Sequence, residues 1–197
     1  MRNQDIMLIT ADGKDVEINR NELAQRLGTA RGYSNELIES CRERLEKIIT
    51  YKCAYIRIPI NRPGENIIDL GYMQVESRQL YNNMNGCQEA FAMALTSGIA
   101  VDRELARLRV LSRAEYFITD ALASAAIDSF ADYACEIMQN GASCAPRFSP
   151  GYGDFSLSLQ KPFLERLDAS GLLGITLDSG FLMTPMKSIT ALMGIRK

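Results

Sequence analysis

The chain contains no histidine. That absence removes Ser-His-Asp and Cys-His nucleophile systems, imidazole metal ligands and a histidine general base. Any chemistry must rest on carboxylates, tyrosine, lysine, arginine, backbone groups or a borrowed cofactor. Cysteine is sparse and dispersed: Cys41, Cys53, Cys87, Cys135 and Cys144 are odd in number and include no C-x-x-C pair. This is reduced, intracellular usage, with the thiols expected as small buried hydrophobes. It argues against a structural zinc or a cysteine-ligated iron–sulfur cluster held by this chain alone. Charge of one sign is also lacking. A formal net charge of -2 gives no general pull toward nucleic acid, which needs clustered lysine and arginine.

No apolar run approaches the roughly 20 residues that span a bilayer. The opening Met1-Arg2-Asn3-Gln4-Asp5 leads into a short strand-like segment rather than a signal peptide. The expectation is a soluble, cytoplasmic protein with no membrane partner. Neither a glycine-rich dinucleotide fingerprint nor a Walker loop is present, and no internal repeat or low-complexity tract appears.

What the chain does have is 197 residues with 47% hydrophobic content, enough for one sizeable core and too few for two full domains. One domain over 1–197 is expected, with a hairpin and helices in 1–115 and a long acidic helix, a loop and late strands in 116–197. Asn19 to Gly28 opens on an asparagine cap and closes on glycine, framing a short helix. Leu37, Ile38, Cys41, Leu45, Ile48 and Ile49 recur at helical spacing, predicting a second helix from Ser34 to Thr50. Ala54 to Ile60 alternates as a half-buried strand does. A turn over Asn61 to Asn66 and a short strand at Ile67 to Leu70 complete an expected β-hairpin. A short helix near Ser77 to Met84 precedes Gln88 to Ser97, read as a buried strand between Gly86 and Gly98, although its alanines and methionine also suit a helix.

Val101 to Ser112 reads as a helix carrying Arg103, Arg107, Arg109 and Arg113 at its face and end. Ala114 to Asn140 is the longest helical pattern, with an apolar stripe through Phe117, Ala121, Ser124, Ile127, Ala131, Ala134 and Met138. Beside the stripe, Asp128, Asp132 and Glu136 fall four residues apart, with Asp120 on the same line. Like charges at this spacing cost roughly 0.2–0.5 kcal/mol per pair, so compensation is expected. Either the arginine-rich helix packs alongside, or a cationic ligand or basic partner sits there. Further on, a helix over Leu157 to Ala169, a turn over Gly171 to Gly174, and strands at Ile175 to Asp178 and Ser188 to Gly194 follow. Helices and strands mingle without a regular βαβ repeat, which predicts α+β with a central mixed or antiparallel sheet flanked by helices.

Between these elements lies Arg147-Phe148-Ser149-Pro150-Gly151-Tyr152-Gly153-Asp154. Pro150 fixes its own φ and disfavours helix at Ser149, while Gly151 and Gly153 allow conformations closed to other residues. The main chain here can approach a planar ligand, with Tyr152 against its face, and Arg147 offers a planar fork for a carboxylate. From spacing alone the segment is either an anion or nucleoside site or merely a Pro-Gly connection between helices.

The R-x-x-P-G-Y run at Arg147 to Tyr152 resembles the motif of the activation (reactivation) domain of cobalamin-dependent methionine synthase. Further segments agree: Leu122 to Glu136, with Asp128, Phe130, Asp132 and Tyr133; and Gly174 to Ser188, with Phe181, Met183, Pro185 and Ser188. The extended S-P-G-Y-G-D followed by Gln160, and M-x-P-x-K-S at Met183 to Ser188, are similar to short free-standing relatives of that domain.

The resemblance implies an activation-domain-like α+β fold and S-adenosylmethionine as ligand. Arg147 would clamp the methionine carboxylate, and the loop Phe148, Ser149, Pro150, Gly151, Tyr152 and Gly153 would hold the adenosyl end, with Asp128 lining the site. It implies no catalytic residue and no metal ligand on this chain. Vitamin B12, as cobalamin, would be carried by a partner: a cobalamin-dependent methionine synthase lacking its own activation domain, or another corrinoid protein. A flavodoxin-like or ferredoxin-like reductant would supply the electron. The chain would then be an accessory subunit in methionine biosynthesis rather than a self-sufficient methyltransferase. Two departures stand out. The family's late tyrosine falls at Met193, and Cys135 stands where the long helix often has histidine. They keep open an alternative, a non-catalytic module that docks a corrinoid protein through the acidic helix.

Overall fold

Strand β2 (Thr50–Pro59) alternates because each of its faces is buried along only part of its length. Tyr51 and Cys53 face one hydrophobic cluster, and Ala54, Ile56 and Ile58 face another. A computed structural model describes residues 6–28 and 32–196; residues 1–5, where the start was read as leaderless, lie outside the described residues.

β2 is flanked on one side by β1 (Met7–Asp12), with Ile9 opposite Cys53, and on the other by β6 (Cys87–Thr96), with Ala54 opposite Ala94. β6 in turn pairs with β9 (Ser188–Arg196). The resulting order β1-β2-β6-β9 is antiparallel throughout. The run Gln88 to Ser97 is therefore a strand, and the expected α+β class with an antiparallel sheet is what the chain forms.

Helices α1 (Arg20–Leu27), α2 (Asn35–Ile48), α4 (Ile99–Leu111) and α5 (Arg113–Gln139) cover one face. Asn19 and Ser34 cap the first two as their side-chain chemistry predicts, accepting from backbone N–H groups of the first turn. Ser112 breaks α4 from α5 by adopting extended φ, and its hydroxyl then accepts from Glu115 N–H. α5 ends at Asn140 and Gly141, both at positive φ. It is buried more widely than the predicted stripe: Ile118, Leu122, Ala126 and Phe130 join the core, whereas Phe117 is exposed. Phe130 stacks on Tyr51 of β2 with centroids 4.7 Å apart, fixing the helix over the sheet.

The other face carries α6 (Gln160–Arg166) and α7 (Ala169–Leu173), with α3 (Arg78–Asn83) and a small sheet of β3 (Asn61–Gly64), β4 (Ile67–Asp69) and β5 (Gln74–Glu76). β6 presents Cys87, Ala90, Ala92 and Ala94 on this side, all buried and all small, so the neighbouring elements can pack close to its backbone. The expected hairpin between Ala54–Ile60 and Ile67–Leu70 does not form. Both edges of β2 are taken by β1 and β6, and the segment read as a turn supplies β3, which pairs with β4 around Asn66 at φ 60°. The helix expected over Leu157 to Ala169 is divided. A 3-10 turn at Leu157–Leu159 leads into α6, Asp168 at φ 46° ends the run, and the residues expected to turn at Gly171 form α7, closing at Gly174. Two-residue strands β7 (Thr176–Leu177) and β8 (Met183–Thr184) precede β9.

β9 is the outer strand of the main sheet, and residues 143–148 run along it. Cys144 bridges Ile195 and Phe148 bridges Leu192, with Ala145 N–H donating to Gly194 C=O at 2.8 Å. This places the R-x-x-P-G-Y segment where β9, α5 and the loop meet.

Candidate functional site

The conformation of the loop follows from its glycines and proline. Gly151 sits at φ 92° and Gly153 at φ 53°. Gly151 N–H donates to Phe155 C=O at 2.7 Å, Tyr152 N–H to Ser149 C=O at 3.0 Å, and Phe155 N–H to Tyr152 C=O at 2.9 Å. Phe148 N–H and C=O are both spent on Leu192. Most of the main-chain groups expected to read a ligand are therefore occupied in holding the loop. Pro150 is buried, and Phe148 stacks on the buried Phe155, so these two shape the loop from behind.

Asp154 anchors the far end of the segment. Its carboxylate accepts from Ser77 Oγ, from Arg78 N–H at 2.9 Å and from Gln79 N–H at 3.2 Å at the start of α3. The Ser77 hydroxyl and these amides hold its carboxyl below the usual aspartate range. Gly153 faces the same helix: a Cβ there would meet Gln79 Oε1 at 2.0 Å.

The remaining loop residues open onto a cavity of about 520 Å³. Arg147, Ser149 and Tyr152 line one side, Asp128, Asp132, Cys135 and Gln139 of α5 the second, and Ile189 and Met193 of β9 the floor. Of the residues expected to hold a ligand, Arg147, Ser149, Tyr152 and Asp128 thus come together. Phe148, Pro150, Gly151 and Gly153 are outside the lining.

Arg147 is the cation of this cavity. One of its terminal nitrogens lies 2.8 Å from Asp132 Oδ1 and 3.5 Å from Cys135 Sγ. Burial works against its charge, but its contacts with Cys135 and Asp132 outweigh that and leave its pKa raised. Burial also pushes the Cys135 thiol up, so near neutral pH Cys135 is an uncharged neighbour of the guanidinium.

Each aspartate of the acidic line has a cation, and none comes from the arginine-rich α4. Asp128 pairs with Arg26 of α1, Asp132 with Arg147, and Asp120 with Lys187 at 2.8 Å. The expected compensation by α4 is corrected. Its Arg107 bonds Glu104 of the same helix at 2.7 Å, because α4 joins α5 end to end at Ser112 and its arginines point elsewhere.

Three contributors escaped the sequence reading. Arg26 and Glu22 come from α1, whose amphipathic pattern gives no hint of a meeting with α5. Glu22 is raised above the usual glutamate range by burial and then by Asp128, and one of its oxygens is buried without a hydrogen-bond partner among the described residues. Gln139, the third, donates to Met193 Sδ at 3.4 Å and closes the cavity floor. Met193, where the resemblance leads one to expect a tyrosine, is buried but does line the cavity. Among the described residues, no group is arranged to hold a metal ion and no helix is long and apolar enough to cross a membrane.

No protein-family model and no curated protein matches the chain. Among solved structures, the crystal structure of the MetH reactivation domain bound to AdoHcy superposes with a TM-score of 0.69, over 96% of this chain and 78% of that one. The two share a fold. Their sequences are 13% identical, so the likeness is one of architecture, an α+β arrangement with an antiparallel sheet flanked by helices. The expected activation-domain-like fold stands on that superposition.

Proposed function

We propose that the chain binds S-adenosylmethionine in the cavity between α5, the 147–153 loop and β9, as an accessory protein for reactivating a cobalamin-dependent methionine synthase or related methyltransferase. The observation that carries this reading is the convergence of Arg147, from the R-x-x-P-G-Y loop, with Asp132 and Asp128 in one cavity. A fold shared with a domain solved with AdoHcy supports it.

The chemistry of the lining suits a zwitterionic amino-acid end joined to a nucleoside. Arg147 is paired with Asp132 in the free site. A ligand carboxylate would take the guanidinium fork, and the ligand's ammonium would take the Asp132 carboxylate so released, so neither charge is left unpaired. Ser149 lines the cavity, and its N–H, which has no main-chain partner among the described residues, remains to read an adenine edge. Tyr152, exposed and edge-on to Phe148, offers its ring face. The cavity volume falls within the range of small-molecule sites, about 300–1,000 Å³.

Bound there, S-adenosylmethionine would supply a sulfonium methyl group for a corrinoid on the partner, once one electron from a flavodoxin-like or ferredoxin-like protein has reduced it, with S-adenosylhomocysteine as the leaving group. This chain's share is positioning: holding both ends of the ligand so that the methyl faces outward. No proton transfer is required of it, in keeping with a chain without histidine.

The test is transfer of labelled methyl from S-adenosylmethionine to a purified cobalamin-dependent methionine synthase that lacks its own activation domain, under reducing conditions. Transfer that depends on this chain and fails with Arg147→Ala supports the reading. No binding of S-adenosylmethionine, alone or with that partner, would sink it. The alternative, a module that docks a corrinoid protein without a ligand, draws on Met193 in place of the tyrosine. It requires pull-down that survives Arg147→Ala and fails when Asp128 and Asp132 are neutralised.

A further inference from the structure

The corner where α4 meets α5 carries three large apolar side chains in solvent: Val110 is 86% exposed, Leu111 66% and Phe117 50%. Scattered exposed hydrophobes need no explanation, but a contiguous group is costly unless something covers it. These three lie within eight residues on either side of the Ser112 break.

The corner is also cationic. Arg103, Arg109 and Arg113 are exposed, and none of them forms an ion pair among the described residues. The nearby carboxylates are already engaged: Glu104 with Arg107 at 2.7 Å, and Glu115 with Arg44 of α2 at 2.6 Å. Arg113 lies over the Phe117 ring at 5.7 Å, and Tyr116 meets the same ring edge-on at 5.7 Å. Together Arg109, Arg113, Tyr116 and Phe117 line a shallow depression. Arginine and aromatic side chains around an apolar centre are the composition of protein-binding surfaces.

The chain as a whole is slightly acidic, so an acidic protein meets repulsion over much of its surface and attraction here. The corner is remote from the Arg147 cavity: Phe117 and Asp128 are about 16 Å apart along the α5 axis. A partner seated on it leaves the cavity open.

From the charge and the exposed apolar centre together, we infer that the α4–α5 corner docks an acidic protein surface, with Phe117, Val110 and Leu111 as the buried centre and Arg103, Arg109 and Arg113 as the charged surround. This surface is independent of the S-adenosylmethionine reading.

The probe is a synthetic amphipathic helical peptide with glutamates on one face and leucines on the other, titrated into the isotopically labelled full chain by NMR. Amide shifts should concentrate in 103–117, and affinity should fall at least tenfold in Arg109→Glu/Arg113→Glu and in Phe117→Ser, each checked for an unchanged melting temperature. Arg109→Gln/Arg113→Gln should give an intermediate loss, and S-adenosylmethionine affinity should be the same in all these variants. Shifts centred elsewhere, or charge reversal without effect, overturn the proposal. So does tighter association with phosphatidylserine vesicles than with the peptide at equal charge, which would make this a membrane surface. Concentration-dependent dimerisation through Phe117 would equally overturn it in favour of a second copy of the chain.

Discussion

Arg147→Ala tests the site at the one cation that lines the cavity among the described residues. A net hydrogen bond to a charged partner is worth about 1.5–3 kcal/mol. In the free protein, however, the guanidinium already holds Asp132 at 2.8 Å, and binding a carboxylate must first release it. Asp132 is 60% exposed, so that pair is worth only about 0–1 kcal/mol. The difference leaves about 0.5–3 kcal/mol for the ligand carboxylate, roughly 2–150-fold in Kd with about 20-fold at the centre. Calorimetry should therefore show the wild-type chain preferring S-adenosylmethionine to its decarboxylated analogue by about that factor. Arg147→Ala should abolish the preference by weakening only the carboxylate-bearing ligand, and Arg147→Lys should restore part of it, since lysine keeps the charge but not the fork. If Arg147→Ala keeps the wild-type ratio, or weakens both ligands equally, the guanidinium does not read the carboxylate and the reasoning fails.

Other outcomes check the frame around that site. Asp154→Asn should lower the urea midpoint near neutral pH. Because the folded carboxyl is held below its ordinary value, its contribution is present above the usual aspartate range and is lost as pH falls through the lowered value, so the two midpoints should converge in acid. Phe130→Ala removes a fully buried ring stacked on Tyr51 and should cost about 3–5 kcal/mol in denaturant unfolding. Among the thiols, Cys144 is the least buried, and alkylation of the native chain followed by mass spectrometry should label it first. Cys53, fully buried and with its pKa pushed up by burial, should react only after unfolding.

Local chemistry made much of the fold legible. Asn19 and Ser34 cap helices, and α5 and β6 fall within a residue or two of their predicted bounds. The features that were not legible depend on distant partners. β2 reads as one arm of a hairpin because alternation reveals burial but not which strands lie beside it. Arg62-Pro63-Gly64 reads as a turn, yet it contributes β3 once β4 is there to pair with. Asp168 gives no sign in sequence that it will take positive φ and divide a helix. At the site, the motif drew attention to Arg147 and Tyr152, which line one cavity with Asp128 and Asp132 of α5. It did not reveal that the loop's own amides would be consumed in its turn, nor that Arg26 would reach Asp128 from 102 positions away.

The pairing of residues 143–148 with β9 has a further consequence. β9 carries the apolar run Ile189-Thr190-Ala191-Leu192-Met193-Gly194-Ile195 at the outer edge of the sheet, the kind of segment that recruits other chains when its backbone is bare. The bridges at Cys144 and Phe148 occupy that edge. The connection that shapes the candidate pocket is thus also the guard against intermolecular strand addition. Damage to it should show first as loss of solubility, and selection for a soluble chain would preserve the geometry of the loop even where its ligand had been given up.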